Sequence, residues 1–131
     1  MSRARVLLAD DNALVLERVT SLLAPTFDIV GIARDGQEMV AEALRLRPDV
    51  IVADISMPVI TGIEAAHQIR ETDGITKIVF LTVHKEEEFV EACLQQGAQG
   101  YVIKAHMKTD LVPAILAAIS GGSFFSPTLA R

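Results

Sequence analysis

Four short apolar runs each end on polar residues, and the residue types are complementary. Asp10 and Asp11 follow Val6-Leu7-Leu8-Ala9, Asp54 follows Val50-Ile51-Val52-Ala53, Thr82 follows Ile78-Val79-Phe80-Leu81, and Lys104 follows Tyr101-Val102-Ile103. Three carboxylates gathered at one edge repel by roughly 4 kcal/mol per pair at about 4 Å and an effective dielectric near 20. A hard divalent cation offsets that repulsion, and Mg²⁺ prefers one or two carboxylates with backbone, water or phosphate oxygen in its other positions. The Thr82 hydroxyl and the Lys104 ammonium are donors, suited to the extra oxygens of a phosphoryl group and not to a bare metal. The ligand this set implies is a phosphoryl group on a carboxylate. Asp54, at a central strand end, is the candidate acceptor, which leaves Asp10 and Asp11 for metal. Chemistry of this kind is mostly positioning plus electrostatics, with Lys104 neutralising developing charge and no general base required by an ionised Asp54.

The elements that must position these groups alternate along the chain. The Val6–Ala9 run is followed by Val15, Leu16, Val19, Leu22 and Leu23 at helical spacing, a strand and then a helix. The unit recurs with a strand over Phe27–Ala33 and a helix carrying Met39, Val40, Ala43 and Leu44, then a strand over Val50–Ala53 and a helix carrying Ile63, Ala66 and Ile69. It continues with a strand at Ile78–Leu81 and a helix with Phe89, Val90, Cys93 and Leu94, then a strand at Tyr101–Ile103 and a helix with Leu111, Val112, Ile115, Leu116 and Ile119. Asp35 with Glu38 and Thr61 with Glu64 have capping-box spacing, and Gly97 is placed to end the fourth helix. Pro113 is suited to a first helical turn, so the fifth helix is expected to start near Thr109. Strands apolar on nearly every residue and joined by helices predict a doubly wound α/β fold with a five-stranded parallel sheet and five helices. Ligands of such sheets bind beyond the carboxyl ends of the strands, at the topological switch point.

Composition bounds the rest. The chain has 131 residues, half of them hydrophobic, and a net charge of −5 from 12 Lys and Arg against 17 Asp and Glu. That is one domain with ample core, and its acidity disfavours nucleic-acid binding by this domain alone. One cysteine, Cys93, excludes an intrachain disulfide and a multi-cysteine zinc site, which suits a reducing compartment. The apolar runs are of strand length and Met1–Arg5 lacks a signal-peptide core, so neither membrane spanning nor export is expected and a cytoplasmic location is.

Each candidate also has a plainer reading. Asp10 and Asp11 stand where helix caps stand, with Asn12 beside them; Thr82 can cap the fourth helix, whose start is acidic at Glu86, Glu87 and Glu88, as the helix dipole favours. Lys104 can be a surface lysine and Tyr101 plain packing. His67, His84 and His106 form no recognisable metal motif, and Cys93 sits at packing spacing from Phe89 and Val90. The co-occurrence of the acids, the hydroxyl and the lysine favours the chemical reading.

Taken together, Asp10-Asp11, Asp54-Ile55-Ser56-Met57-Pro58 followed by Gly62, Leu81-Thr82 and Tyr101-Val102-Ile103-Lys104 resemble the receiver domain of bacterial two-component response regulators, over nearly the whole chain. The resemblance implies a flavodoxin-like receiver fold and a signalling domain with no enzymatic turnover beyond its own phosphorylation and dephosphorylation. By it, Asp54 takes a phosphoryl group from a sensor histidine kinase, and Asp11 binds Mg²⁺ directly, Asp10 largely through water, with the Ser56 backbone carbonyl as a further ligand. Thr82 would move toward the phosphoryl group, Lys104 would pair with its oxygens, and Tyr101 would turn inward. The face made by the fourth helix, fifth strand and fifth helix would then change and control dimerisation. Ser56, Val83 and His84 occupy rate-tuning positions, Val83 being larger than the residue common there.

Gly121-Gly122-Ser123-Phe124-Phe125-Ser126-Pro127 resembles the segment after the receiver in NarL/FixJ-type regulators. The expected organisation is a receiver over 1–120 and the start of a linker over 121–131, leading to a helix-turn-helix output domain through which alone DNA would be bound; a stand-alone receiver is the other option. Two further readings are a phosphorylation-independent receiver-like interaction module and an aspartyl-phosphate phosphatase of the haloacid dehalogenase type. The phosphatase requires a second acid two residues past the nucleophile, where this chain has Ser56.

Overall fold

The structure, a computed structural model, describes residues 3–126. β1 (Arg5–Ala9), α1 (Ala13–Leu23), β2 (Asp28–Ala33), α2 (Gly36–Leu46), β3 (Val50–Ala53), α3 (Gly62–Thr72), β4 (Lys77–Thr82), α4 (Glu87–Gln95) and β5 (Gly100–Ile103) follow in strict alternation. A 3₁₀ turn over Lys104–His106 then leads into α5 (Met107–Ile119), and β6 (Phe124–Phe125) ends the described chain. All pairings are parallel and the sheet order is β2-β1-β3-β4-β5-β6. The chain thus runs outward from β1 in both directions, and the crevice between the ends of β1 and β3 is the switch point.

Side chains alternate across the sheet and build two cores. Leu7, Ile51, Ile78, Phe80 and Tyr101 pack with Met39, Ile69 and Cys93 on the face of α2, α3 and α4. Val6, Leu8, Val52, Val79, Leu81 and Val102 pack with Leu16, Val19, Leu111 and Ile115 on the face of α1 and α5. Each fully buried Leu, Ile or Val stabilises by about 1.5–3 kcal/mol, so the strand ends are held rigidly from both sides.

Local signals act as their chemistry requires. Asp35 Oδ1 accepts the Glu38 N–H at 2.7 Å and Thr61 Oγ1 accepts that of Glu64 at 3.1 Å. Gly97 takes φ +74°, letting its N–H and that of Ala98 bond the Leu94 and Cys93 carbonyls at the end of α4. A Cβ on Gly62 would stand 1.9 Å from the Asp54 carbonyl oxygen, so only glycine lets α3 begin so close to β3.

Two expectations are corrected. The sheet has six strands, not five, because Phe124–Phe125 pairs with Gly100–Tyr101 at the outer edge of β5. The fifth helix begins at Met107, not near Thr109, and carries Pro113 in its interior. An interior proline costs about 3 kcal/mol; burial of Leu111, Ala114, Ile115 and Ala118 outweighs it. Pro127 and the remainder of the expected linker, 127–131, lie outside the described residues. Among the described residues no helix is long and apolar enough to cross a membrane.

Candidate functional site

The polar ends of β1, β3, β4 and β5 converge beyond the sheet's carboxyl edge. Asp10 and Asp54 are buried although each carries a carboxylate. The Asp10 N–H bonds the Ala33 carbonyl and the Asp54 N–H the Ala9 carbonyl, so the sheet ladder itself fixes where both side chains start. Carboxylate oxygens of Asp10, Asp11 and Asp54 lie within 4.8 Å of one another. Three hard oxygen donors at that spacing fit a divalent cation that accepts carboxylates.

Lys104 reaches into this cluster. Its Nζ stands 2.8 Å from Asp10 Oδ2 and 3.0 Å from Asp54 Oδ2, its stem supported by the apolar β5 before it. Burial alone would lower the Lys104 pKa, but the Asp10 hydrogen bond and the Asp54 charge outweigh it and leave it raised. Asp10 is raised above the usual carboxylate value by burial, against the opposing pull of the Lys104 and Asn12 hydrogen bonds, with the Asp54 charge adding to the rise. One ammonium therefore serves two buried carboxylates, and the exposed Asp11 brings a third acid to the mouth.

Capping does not account for these acids. Asn12 caps α1, its Oδ1 accepting the Leu14 and Val15 N–H groups. Asp10 Oδ1 instead accepts the Asn12 N–H at 2.9 Å, and Asp54 Oδ1 accepts that of Ile55 at 2.7 Å. These two backbone donors were not foreseen, and no residue type signals them, because any amide supplies an N–H. Thr82 does not cap α4 either: the helix begins after Glu86, with no side-chain cap, while the buried Thr82 hydroxyl accepts the His84 N–H at 3.3 Å.

His84 ties the neighbouring pieces together. Its Nε2 is 2.8 Å from Ser56 Oγ, its ring stacks on Phe89 at 4.3 Å, and its carbonyl accepts the Tyr101 hydroxyl at 2.8 Å. Tyr101 is wholly buried, and its hydroxyl pKa is raised by burial. Val83, between Thr82 and His84, is 65% exposed. The structure thus brings Asp10, Asp11, Asp54 and Lys104 into one cluster, and links Ser56, Thr82 and Tyr101 through His84 beside it.

The model of the response regulator receiver domain matches residues 6–116. Response regulator GacA of Pseudomonas viridiflava is 36% identical over 97% of this chain and 60% of its own length. The transcriptional regulatory protein YxjL of Bacillus subtilis is 40% identical over 94% of this chain and 57% of its own. The chain therefore spans about six-tenths of the length of the curated relatives it matches. Among solved structures, a LuxR-family two-component response regulator from Aurantimonas sp. SI85-9A1 superposes with a TM-score of 0.92 at 35% identity, covering 98% of this chain and 93% of that one. The receiver domain of the putative response regulator NarL from Mycobacterium tuberculosis does so with a TM-score of 0.88 at 31% identity, over 92% and 99%.

Proposed function

Because this chain belongs to the response regulator receiver domain family, we propose that it is a phosphoacceptor switch in which Asp54 takes a phosphoryl group from a sensor histidine kinase. The observation that carries this reading is Lys104 Nζ held between Asp10 and Asp54, at 2.8 and 3.0 Å, beside a third carboxylate. In the transfer an Asp54 carboxylate oxygen bonds phosphorus while the bond from phosphorus to the kinase histidine nitrogen breaks. Asp54 is the attacking anion, so no base is needed. Ile55 N–H and Lys104 orient its carboxylate, and Lys104 is placed to meet the phosphoryl oxygens.

Asp10, Asp11, Asp54 and the Ser56 carbonyl are the groups that would hold Mg²⁺, which when bound supplies charge neutralisation for the incoming oxygens. Thr82 and Tyr101 are the switch pair. A few charge-assisted bonds at Thr82 and Lys104 bias the loop after β4, and with it the α4–β5–α5 face that would govern dimerisation. Ser56, Val83 and His84 tune the rates. Catalytic action is confined to the domain's own phosphorylation and dephosphorylation, in the cytoplasm. The names of relatives such as YxjL and their greater length support a DNA-binding output domain as the effector of the switch, with residues 1–120 as receiver and 121–131 leading toward that domain.

Intact mass after incubation with Mg²⁺ and a small acyl phosphate tests the reading. One labile phosphoryl adduct is expected, absent from Asp54→Ala and in excess chelator. No adduct, where another receiver is modified in parallel, would replace this reading with a phosphorylation-independent interaction module.

A further inference from the structure

Ser126 is 1% exposed although polar, and every polar atom of it with a known partner is turned to β5 or α5. Its N–H bonds the Tyr101 carbonyl at 2.9 Å. Its Oγ accepts the Ile103 N–H at 3.1 Å and donates to Asp110 Oδ2, on the first turn of α5, at 2.9 Å. The hydroxyl thereby stands in for the next carbonyl of the β5–β6 ladder, and Asp110 fixes the hydroxyl's orientation while taking a bond from Thr109 Oγ1 on its other oxygen. Just before the anchor, Phe124 packs into the core beneath α5 and Phe125 into the opposite core with Tyr101. The segment is thus fastened to both layers as well as to the strand.

What it is fastened to matters. Ile103 precedes Lys104 in the chain and pairs with Thr82 across β4 and β5, and Tyr101 is the residue whose carbonyl Ser126 holds. The switch pair, Thr82 and Tyr101, and Lys104 therefore all lie within one step of the anchor. We propose that Ser126 and Asp110 are positioning residues for the phosphoacceptor site, coupling the chain that leaves β6 to the placement of Lys104, Thr82 and Tyr101. The proposal rests on the function argued above. Coupling of this kind is reciprocal: a change at the site alters the hold on Ser126, and loosening Ser126 weakens ligand binding at the site.

Beryllofluoride with Mg²⁺, an aspartyl-phosphate mimic, is the probe, followed in the full 131-residue chain by nuclear magnetic resonance of the Tyr101 and Lys104 amides, with amide exchange at Ile103 as a second readout. Ser126→Ala is expected to speed Ile103 exchange and to raise the half-saturating beryllofluoride concentration about fivefold or more, the low end of coupling between sites. Ser126→Thr, which keeps the hydroxyl, restores both. Asp73→Ala, a destabilising change at the far end of the sheet, leaves the titration unmoved, which separates positioning from mere stability. If Ser126→Ala does not fold, Asp110→Asn carries the same comparison. Binding by wild type with an unchanged half-saturation in the anchor variants overturns the coupling and leaves the phosphoacceptor reading intact. No binding by wild type overturns that reading and the coupling with it.

Discussion

At the amino-terminal ends of the strands, Asp49 is exposed and Arg5 and Asp73 are half-buried, and each meets a hydrogen-bond partner. Asp49 Oδ2 accepts the Arg5 N–H at 2.8 Å, the Arg5 guanidinium bonds the Arg47 carbonyl, and Asp73 accepts the Ile75 N–H at 2.8 Å and the Thr76 hydroxyl at 2.9 Å. At the carboxyl ends Asp10 and Asp54 are buried together with one lysine between them. The two aspartates that typify these ends shift in opposite directions. Asp73 is held below the usual carboxylate value by the Ile75 N–H and then the Thr76 hydroxyl, whereas burial drives Asp10 above it. One end is arranged for its own stability. The other keeps charge buried against its desolvation cost, a concentration of perturbed groups of the kind that functional sites show.

The sharpest way to break that contrast is to remove Lys104. Lys104→Ala leaves two buried carboxylates facing each other, and is expected to lower stability by about 3 kcal/mol in urea denaturation, as loss of one partner of a buried pair does. Mg²⁺ recovers part of the loss if the carboxylates hold it.

Metal is the next test. At about one hundred times its Kd, Mg²⁺ should stabilise the wild-type chain by about 2.7 kcal/mol. The Asp73→Ala chain should gain as much and the Asp10→Asn chain clearly less. Equal gains in all three would place the metal elsewhere.

Acid and alkaline shifts sharpen the comparison further. Asp10, raised on folding, contributes stability that is present below the unfolded value and lost as the pH rises through the folded one. Without metal at neutral pH, Asp10→Asn, which removes the buried charge, is therefore expected to stabilise and to flatten the pH profile over that interval. Asp73 has the opposite sign: its contribution is present above the unfolded value and lost as the pH falls through the lowered folded one. Asp73→Ala should destabilise by about 0.5 kcal/mol at neutral pH, a solvent-screened interaction, with the difference vanishing in acid.

An effect as small as that of Asp73→Ala lies in the loop between Asp54 and α3. Val59 is 68% exposed and holds φ +73°, a conformation that strains a β-branched residue. Val59→Gly should raise the melting temperature by the equivalent of about 0.5 kcal/mol, after the larger chain entropy of glycine is subtracted. A fall would mean that Val59 makes contacts stronger than its strain.

How much was legible follows from the range of each interaction. The caps at Asp35 and Thr61 and the turn at Gly97 bond groups three to five residues away, and spacing alone reveals them. The strand runs reveal themselves because both faces are covered, so nearly every residue is apolar. Phe124–Phe125 is too short to show a period, and its strand character exists only because the β5 edge lies open to it. Pro113 misplaced the start of α5 because a local rule was outweighed by burial that only the folded sheet provides. The Asn12 cap shows why composition could not apportion Asp10 and Asp11: Asp, Asn and Ser cap equally well, and backbone geometry chooses.

The sequence by itself determined the alternation of elements, the residue types at the strand ends and the family, because those reside in local periodicity and in four short motifs read in order. Only the tertiary structure decided that Lys104 is shared between Asp10 and Asp54, that His84 links Ser56 to Tyr101, and that Ser126 closes the β5 edge. Those contacts join residues 17 to 94 positions apart. Such separations carry no period, and only the packing of strands and helices brings the groups within hydrogen-bond reach.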